Sequence, residues 1–330
     1  MKLLSVVTCA YNEEEVIGIF YEKISHVLTT IGLDSEIVVV NDGSTDSTLS
    51  ILHELAKKDT RISIVNLSRN FGKEIALTAG LDHAKGDYIV PIDADLQDPP
   101  ELIPKLVSEL ENGSYDVVYA TRRKREGEGI LKRLTARIFY KFMQNIGGRI
   151  KIPENTGDFR ILNRKALDSL CTMRENHRFM KGLFSQVGYK QKSFLYDRAP
   201  RFAGKTKWNY LGLVNLSIEG ITSFTVAPLR MATIVGFLIS IGAFVFAAWI
   251  IYKTIAYGEP VAGYPTLMVT VLFLGGVQLL SIGIIGEYLG RIFNETKKRP
   301  LYFVENYIQS DTNIDLSYLT RVINEKLKVT

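Results

Sequence analysis

Tyr88-Ile89-Val90-Pro91-Ile92-Asp93-Ala94-Asp95-Leu96-Gln97-Asp98 carries an apolar run straight into a cluster of acids. The run reads as a buried strand. Residues two apart on a strand share a face, so Asp93 and Asp95 are expected to project together at its C-terminal end. That end is where open α/β sheets bind ligands. Two adjacent carboxylates repel, and a hard divalent cation such as Mg²⁺ or Mn²⁺, itself holding a phosphate, relieves the repulsion. Taken alone, the acids also fit a solvated loop after a strand, so their surroundings decide.

Upstream, Leu3 to Thr8 is an apolar run, followed by Ala10-Tyr11-Asn12-Glu13-Glu14 and then by Val16, Ile17, Phe20, Ile24, Val27, Leu28 and Ile31 at helical spacing. Glu36 to Val40 leads into the polar turn Asn41 to Thr48, which supplies an N-cap for a helix over Leu49 to Lys57. Ile62 to Val65 is a third strand, and Ile75 to His83 a helix. Pro99-Pro100 opens the helix after the acids, and Asp116 to Ala120 is another strand. This alternation predicts an α/β fold with a parallel or mainly parallel sheet covered by helices on both faces. No glycine fingerprint follows the first strand, and Gly204-Lys205-Thr206 has Ala199 where a phosphate-binding loop needs glycine. Phosphates would therefore be held by metal and basic side chains.

The 330 residues are 46% hydrophobic and 23% charged, with a mean hydropathy of +0.07. The apolar excess is concentrated. Residues 231–252 and 261–286 contain no Asp, Glu, Lys or Arg, and each run reaches the ~20 residues that span a bilayer core. The turn Lys253 to Ala262, with Gly258 and Pro260, would join them as an antiparallel hairpin. Arg230 before the first run, and Arg291, Lys297, Lys298 and Arg299 after the second, outweigh Lys253 in the turn, which places both flanks and both chain ends in the cytosol. Gly276, Gly283, Gly286 and Gly290 lie near one stripe of the second run, a pattern that suits close helix approach within the chain or in a homo-oligomer.

A net charge of +5 is only mildly basic and does not indicate nucleic acid. Cys9 and Cys171 form no CxxC pair and read as reduced structural thiols of a cytosolic part. No cleavable signal peptide is read at the start, because Lys2 precedes a strand and then Glu13-Glu14-Glu15.

The ordered series Val6-Val7-Thr8-Cys9-Ala10-Tyr11-Asn12-Glu13, Asn41-Asp42-Gly43-Ser44-Thr45-Asp46, Asn70-Phe71-Gly72-Lys73, Asp93 to Pro100 and Asn155-Thr156-Gly157-Asp158-Phe159-Arg160 resembles glycosyltransferase family 2. More narrowly it resembles the polyisoprenyl-phosphate glycosyltransferases, which include dolichol-phosphate mannose synthase and bactoprenol glucosyltransferase. The resemblance implies a GT-A nucleotide-sugar-binding fold over residues 1–207. Tyr11, Asn12, Glu13, Asp42, Asp93 and Lys73 would bind the donor. Asp95, Asp93 and Gln97 would hold the metal, and Asp158 and Asp95 are the catalytic candidates. Asp42 also fits a turn cap, and Asp158 a Gly-Asp turn.

Residues 131–146 place Leu131, Leu134, Ile138, Phe142 and Ile146 on one helical face and Lys132, Arg133, Arg137 and Lys141 toward the other, a candidate interfacial helix that could equally pack on the soluble domain. Residues 208–228 read as a juxtamembrane helix, 229–290 as a hairpin with spans about 231–252 and 264–286, and 291–330 as a cytosolic tail without an assigned role. Arg201 and Lys207 resemble the family's acceptor loop, and with Arg122 they are the acceptor-phosphate candidates.

The implied activity moves one sugar, glucose favoured, from a nucleotide diphosphate sugar, UDP favoured, to polyprenyl phosphate. Undecaprenyl phosphate in a bacterial inner membrane is the favoured acceptor, reached among the membrane lipids at the cytosolic leaflet. Transfer of mannose from GDP-mannose, or of another sugar, is the alternative. A processive synthase would carry QxxRW and more spans, and a non-catalytic nucleotide-sugar scaffold would not need the paired acids.

Overall fold

Short apolar runs bounded by polar turns become the strands of one sheet. The computed structural model describes residues 2–123, 153, 155–197, 227–257 and 263–310. Within them, β1 (Leu3–Ala10), β2 (Asp34–Asn41), β3 (Ile62–Leu67), β4 (Tyr88–Pro91), β5 (Val117–Arg122), β6 (Thr156–Asn163), β7 (Gln191–Tyr196) and β8 (Val304–Ile308) lie in the order β7-β5-β6-β4-β1-β2-β3-β8. Pairing is parallel for β1 with β2 and β4, for β2 with β3, and for β5 with β7. β6 runs antiparallel to β4 and β5, and β8 to β3. The sheet is thus mixed, with the expected parallel order in β1 to β4.

Helices cover both faces, as the alternation predicts. α1 (Ile17–Ile31), α2 (Thr48–Lys58) and α4 (Ile103–Gly113) bury Phe20, Ile24, Leu52 and Leu106 against Val6, Val39, Ile64 and Val90. α3 (Lys73–His83), α5 (Arg164–Thr172) and α6 (Met180–Gln186) bury Ala79, Leu167 and Leu183 against Val7, Val38, Val65 and Ile89. Neighbours such as Val6 and Val7 serve opposite faces, which is why these strands read as unbroken apolar runs. Each large apolar side chain so buried stabilises the fold by about 1.5–3 kcal/mol. Gly80 lets α3 lie close on the sheet, since a Cβ there would sit 2.5 Å from Val7 Cγ1.

α7 (Ala227–Tyr257) and α8 (Tyr264–Thr296) pack against each other and leave large apolar side chains exposed, among them Phe237, Phe244, Leu279 and Leu280. Phe273–Thr296 is long and apolar enough to cross a membrane, and Met231–Phe246 is a shorter apolar stretch. A Cβ at Gly276, Gly283, Gly286 or Gly290 would meet nothing within 4 Å, so the glycine stripe is not a contact within the described chain.

Within the tail, to which the sequence assigned no role, residues 304–308 form β8 at the edge of the sheet, and the preceding strap is pinned by Ser68 N–H to Phe303 O (3.0 Å) and by Tyr302 Oη to Asp82 Oδ2 (2.9 Å). Its polar, edge-strand composition hides it from pattern reading. The expected helices over 131–146 and 208–226, the acceptor candidates Arg201 and Lys207, and Gly258 and Pro260 of the turn lie outside the described residues.

Candidate active site

Two turns at the C-terminal ends of β1 and β2 are stitched together. Asn12, at a left-handed φ of 54°, accepts at Oδ1 from Thr45 N–H (2.8 Å), and its own N–H donates to Ser44 Oγ (3.0 Å). The Glu13 N–H donates to Thr48 Oγ1 (2.9 Å). Gly43, at φ 65°, lets this turn lie on the next one, since a Cβ there would be 2.5 Å from the Arg69 carbonyl carbon. Behind it, buried Asp42 accepts from the N–H groups of Phe71 (2.7 Å) and Gly72 (3.0 Å). Burial pushes the Asp42 carboxyl above its ordinary value, and those two donors limit the rise. Tyr11 stands half-exposed at the same rim, 36% accessible.

β4 stops at Pro91, so Asp93 and Asp95 lie in a turn and not on the strand. Strand alternation is therefore not what pairs them. Asp95 Oδ1 accepts from Gln97 N–H (3.1 Å), an Asx-type turn in which Gln97 takes part through its backbone, with Leu96 at a left-handed φ of 58°. Asp93 meets Lys73 instead, Nζ to Oδ1 at 2.7 Å, and the same ammonium reaches Asp158 Oδ2 at 2.8 Å. Antiparallel β6 makes this possible, because its first residues return to the end where β4 finishes.

Lys73 keeps one side open, its side chain 42% exposed. Burial works against its charge, but Asp158 and Asp93 hold the ammonium well above the ordinary lysine range. Burial likewise opposes ionisation of Asp158, yet Lys73 and then Lys181 hold it well below the usual carboxylate range. Burial, followed by the charge of Asp158, pushes Glu74 up to about 7, and its Oε2 accepts from Met180 N–H (2.7 Å). Burial also pushes the half-buried Cys9 thiol up to about 12, which keeps it protonated and unreactive.

On the other flank Tyr196 Oη donates to buried Asp98 and accepts from Arg122 Nε at 3.4 Å. Arg122 Nη2 would be 3.1 Å from a Cβ at Gly157, so the absence of a side chain there lets the guanidinium lie beside the start of β6. Arg160, stacked 3.7 Å from the Phe184 ring centroid, donates to the carbonyls of Gly157 (2.9 Å) and Asp158 (3.2 Å) and fixes that start.

Residues 5–171 match the model of Glycosyl transferase family 2, and residues 227–292 match the GtrB C-terminal hairpin. The chain belongs to glycosyl transferase family 2. It is 52% identical to an uncharacterized glycosyltransferase of Synechocystis, covering 92% of this chain and 95% of the relative. It is 48% identical to the prophage bactoprenol glucosyl transferase homolog of Escherichia coli (92% and 98% covered) and 46% identical to the bactoprenol glucosyl transferase of Shigella phage SfV (92% and 98%).

The expectation of a membrane-associated GT-A glycosyltransferase therefore stands. In this glycosyltransferase the expected donor residues Tyr11, Asn12, Glu13, Asp42, Asp93 and Lys73 gather at one end of the sheet with Asp95, Asp158 and Arg122. Glu74, Asp98 and Tyr196 were not singled out by motif, although Asp98 closes the acidic run and Tyr196 ends a strand legible from its alternation. Among the described residues, no three His, Cys, Asp or Glu side chains converge into a cation cage. Asp93 and Asp95, in the same turn, are carboxylates of the kind that would hold a Mg²⁺ or Mn²⁺, since hard cations take oxygen ligands. Asp158 Oδ1, buried without a hydrogen-bond partner, adds an acceptor at the same place.

Proposed function

We propose that the chain transfers one glucose from UDP-glucose to polyprenyl phosphate, undecaprenyl phosphate foremost, at the cytosolic leaflet of a bacterial inner membrane. The carrying observation is Lys73, whose ammonium bridges an acid of the donor turn and an acid of the acceptor side, within 2.7 and 2.8 Å. The names of the relatives in the E. coli prophage and phage SfV support glucose and a bactoprenol acceptor.

Asp42 with Tyr11, Asn12 and Glu13 takes base and ribose. Asp93 and Asp95 hold a Mg²⁺ or Mn²⁺, with Gln97 shaping the turn. When bound, that cation supplies Lewis-acid stabilisation of the charge developing on the leaving diphosphate. Lys73 is placed to pass from the carboxylates to a phosphate oxygen as the donor arrives. The acceptor phosphate is already an anion near neutral pH, and a carboxylate held as acidic as Asp158 is a poor base, so Asp158 orients the acceptor. Arg122 faces the incoming phosphate, with Arg201 and Lys207 as its partners. Attack opposite the diphosphate inverts the anomeric carbon.

α7 and α8 form two spans with the catalytic domain and both flanks cytosolic, as the one-sided basic residues imply. A cysteine placed at Gly258 should then react only with reagent applied from the periplasmic face. Purified chain in vesicles with polyprenyl phosphate, offered a panel of nucleotide sugars, tests the reaction. A glucolipid from UDP-glucose is expected; a mannolipid from GDP-mannose would transfer the assignment to that donor, and no product from any sugar would favour a scaffold.

A further inference from the structure

Where the strap leaving α8 crosses the catalytic domain, a cavity of about 530 Å³ opens between the turn before α3 and residues 299–303. Its walls are largely apolar, from Phe71, Ile75, Leu301 and Phe303, with the Phe71 and Phe303 rings 6.4 Å apart. Two cations line it as well, Arg69 and Arg299. Arg69 lies 4.2 Å from the centre of the Phe71 ring, and neither arginine forms a salt bridge among the described residues; Arg69 feels Asp42 only at longer range. The nearby acid Glu295 is already taken, accepting from Asn176 N–H (2.7 Å) and Nδ2 (3.2 Å).

Position narrows the anion. Arg299 follows the end of α8 at Thr296 by three residues, after Lys297 and Lys298, which is headgroup level for a helix leaving a bilayer. Lys73 points from α3 to the reacting carboxylates, and Ile75, two residues on, is about 200° further round the helix. At Ile75 the cavity thus lies on the side of α3 turned away from the carboxylates that Lys73 bridges, with Phe71 between it and Asp42. An anion bound here is not the one that reacts.

We propose that this cavity binds the headgroup of an anionic bilayer phospholipid, with its phosphate between Arg69 and Arg299 and its glycerol end against Leu301 and Phe303. The bound lipid seats the donor side of the catalytic domain on the leaflet. The inference rests on reading α8 as a membrane span, and not on which sugar is transferred.

Native mass spectrometry of the full chain in detergent, titrated with short-chain phosphatidylglycerol, tests it without any turnover readout. Arg69→Ser with Arg299→Ser should weaken phosphatidylglycerol binding about thirty-fold, whereas Lys297→Ser with Lys298→Ser, a control for general surface charge, should change it less than about threefold. Phosphatidylcholine should not bind, and excess inorganic phosphate or short-chain polyprenyl phosphate should not displace the bound lipid. Equal losses in the two double variants would reduce the effect to diffuse charge and overturn the site. Displacement by inorganic phosphate or by polyprenyl phosphate would overturn the assignment to a resident phospholipid. Should the arginine pair prevent folding, judged by circular dichroism, Leu301→Asp carries the test by introducing a like charge, with the same loss expected and unchanged binding overturning the proposal.

Discussion

Near the start of β2, Glu36 is sealed from solvent, and its Oε1 accepts from Ser5 Oγ (2.5 Å) and Lys85 N–H (2.6 Å), while Gly86 N–H donates to Ser5 Oγ (2.7 Å). At the opposite end of the same strands, Asp93 and Asp158 share the ammonium of Lys73, whose side chain remains 42% exposed. Each end leaves one buried carboxylate oxygen without a partner, Glu36 Oε2 and Asp158 Oδ1, so an orphaned atom is not what separates them. The donors separate them. Glu36 is held by a backbone N–H of the turn before β4 and by a short hydroxyl on β1, which have nothing to exchange with a ligand. Asp93 and Asp158 are held by a long, accessible side chain that a diphosphate can draw away. Burial of an acid marks architecture at one end and chemistry at the other, and the mobility of its partner decides which.

The sharpest way to break this contrast is Asp95→Asn. It should lower turnover about 10²–10³-fold while leaving the far-ultraviolet circular dichroism unchanged, because it weakens the stabilisation of leaving-group charge without emptying a core. Turnover close to wild type would move the chemistry elsewhere. Tyr196→Phe comes next. Removing the hydroxyl between Arg122 and Asp98 should cut kcat about tenfold, and steady-state kinetics showing an unchanged kcat with a lowered melting temperature would make that trio architectural.

Glu74→Gln tests the active end through pH. The folded carboxyl, near 7, titrates above its unfolded counterpart, so the folded chain holds the extra proton between the two values and stability falls as pH rises from the ordinary carboxylate range to about 7. The variant should therefore be more stable than wild type at about pH 8 and no more stable at about pH 4, measured by denaturant melts. A pH-independent difference would mean that Glu74 titrates normally. The smallest effect on activity belongs to the sealed end. Ser5→Ala should cost about 1–3 kcal/mol of stability by removing one of the two donors to Glu36 and the acceptor of Gly86 N–H, with kcat unchanged in the same assay; a loss of kcat would erase the distinction between the two ends.

Strands β1 to β4 and the helices between them were legible because local patterning and burial agree. Asp42, Asp93, Asp95 and Asp158 were legible because each lies within a few residues of a strand end in a recognisable series. The Lys73 bridge was not, since it joins residues from α3, the turn after β4 and β6, which only the antiparallel placement of β6 brings together. The position of β8 was hidden for a related reason: Val304-Glu305-Asn306-Tyr307-Ile308 has little hydrophobic pattern, and its pairing with β3 spans most of the chain. Asp93 and Asp95 were placed at the correct end of β4 for an incorrect local reason, alternation along a strand that stops two residues short of Asp93.

The central claim is that the acids at the C-terminal end of the sheet hold the donor diphosphate through a divalent cation. Isothermal calorimetry of UDP binding, in Mn²⁺ and in excess EDTA, addresses it without relying on turnover. Wild type and Ser5→Ala should bind UDP in Mn²⁺ and lose most of that affinity in EDTA, whereas Asp95→Asn should bind weakly in both. Wild-type affinity that is equal with and without metal would contradict the account.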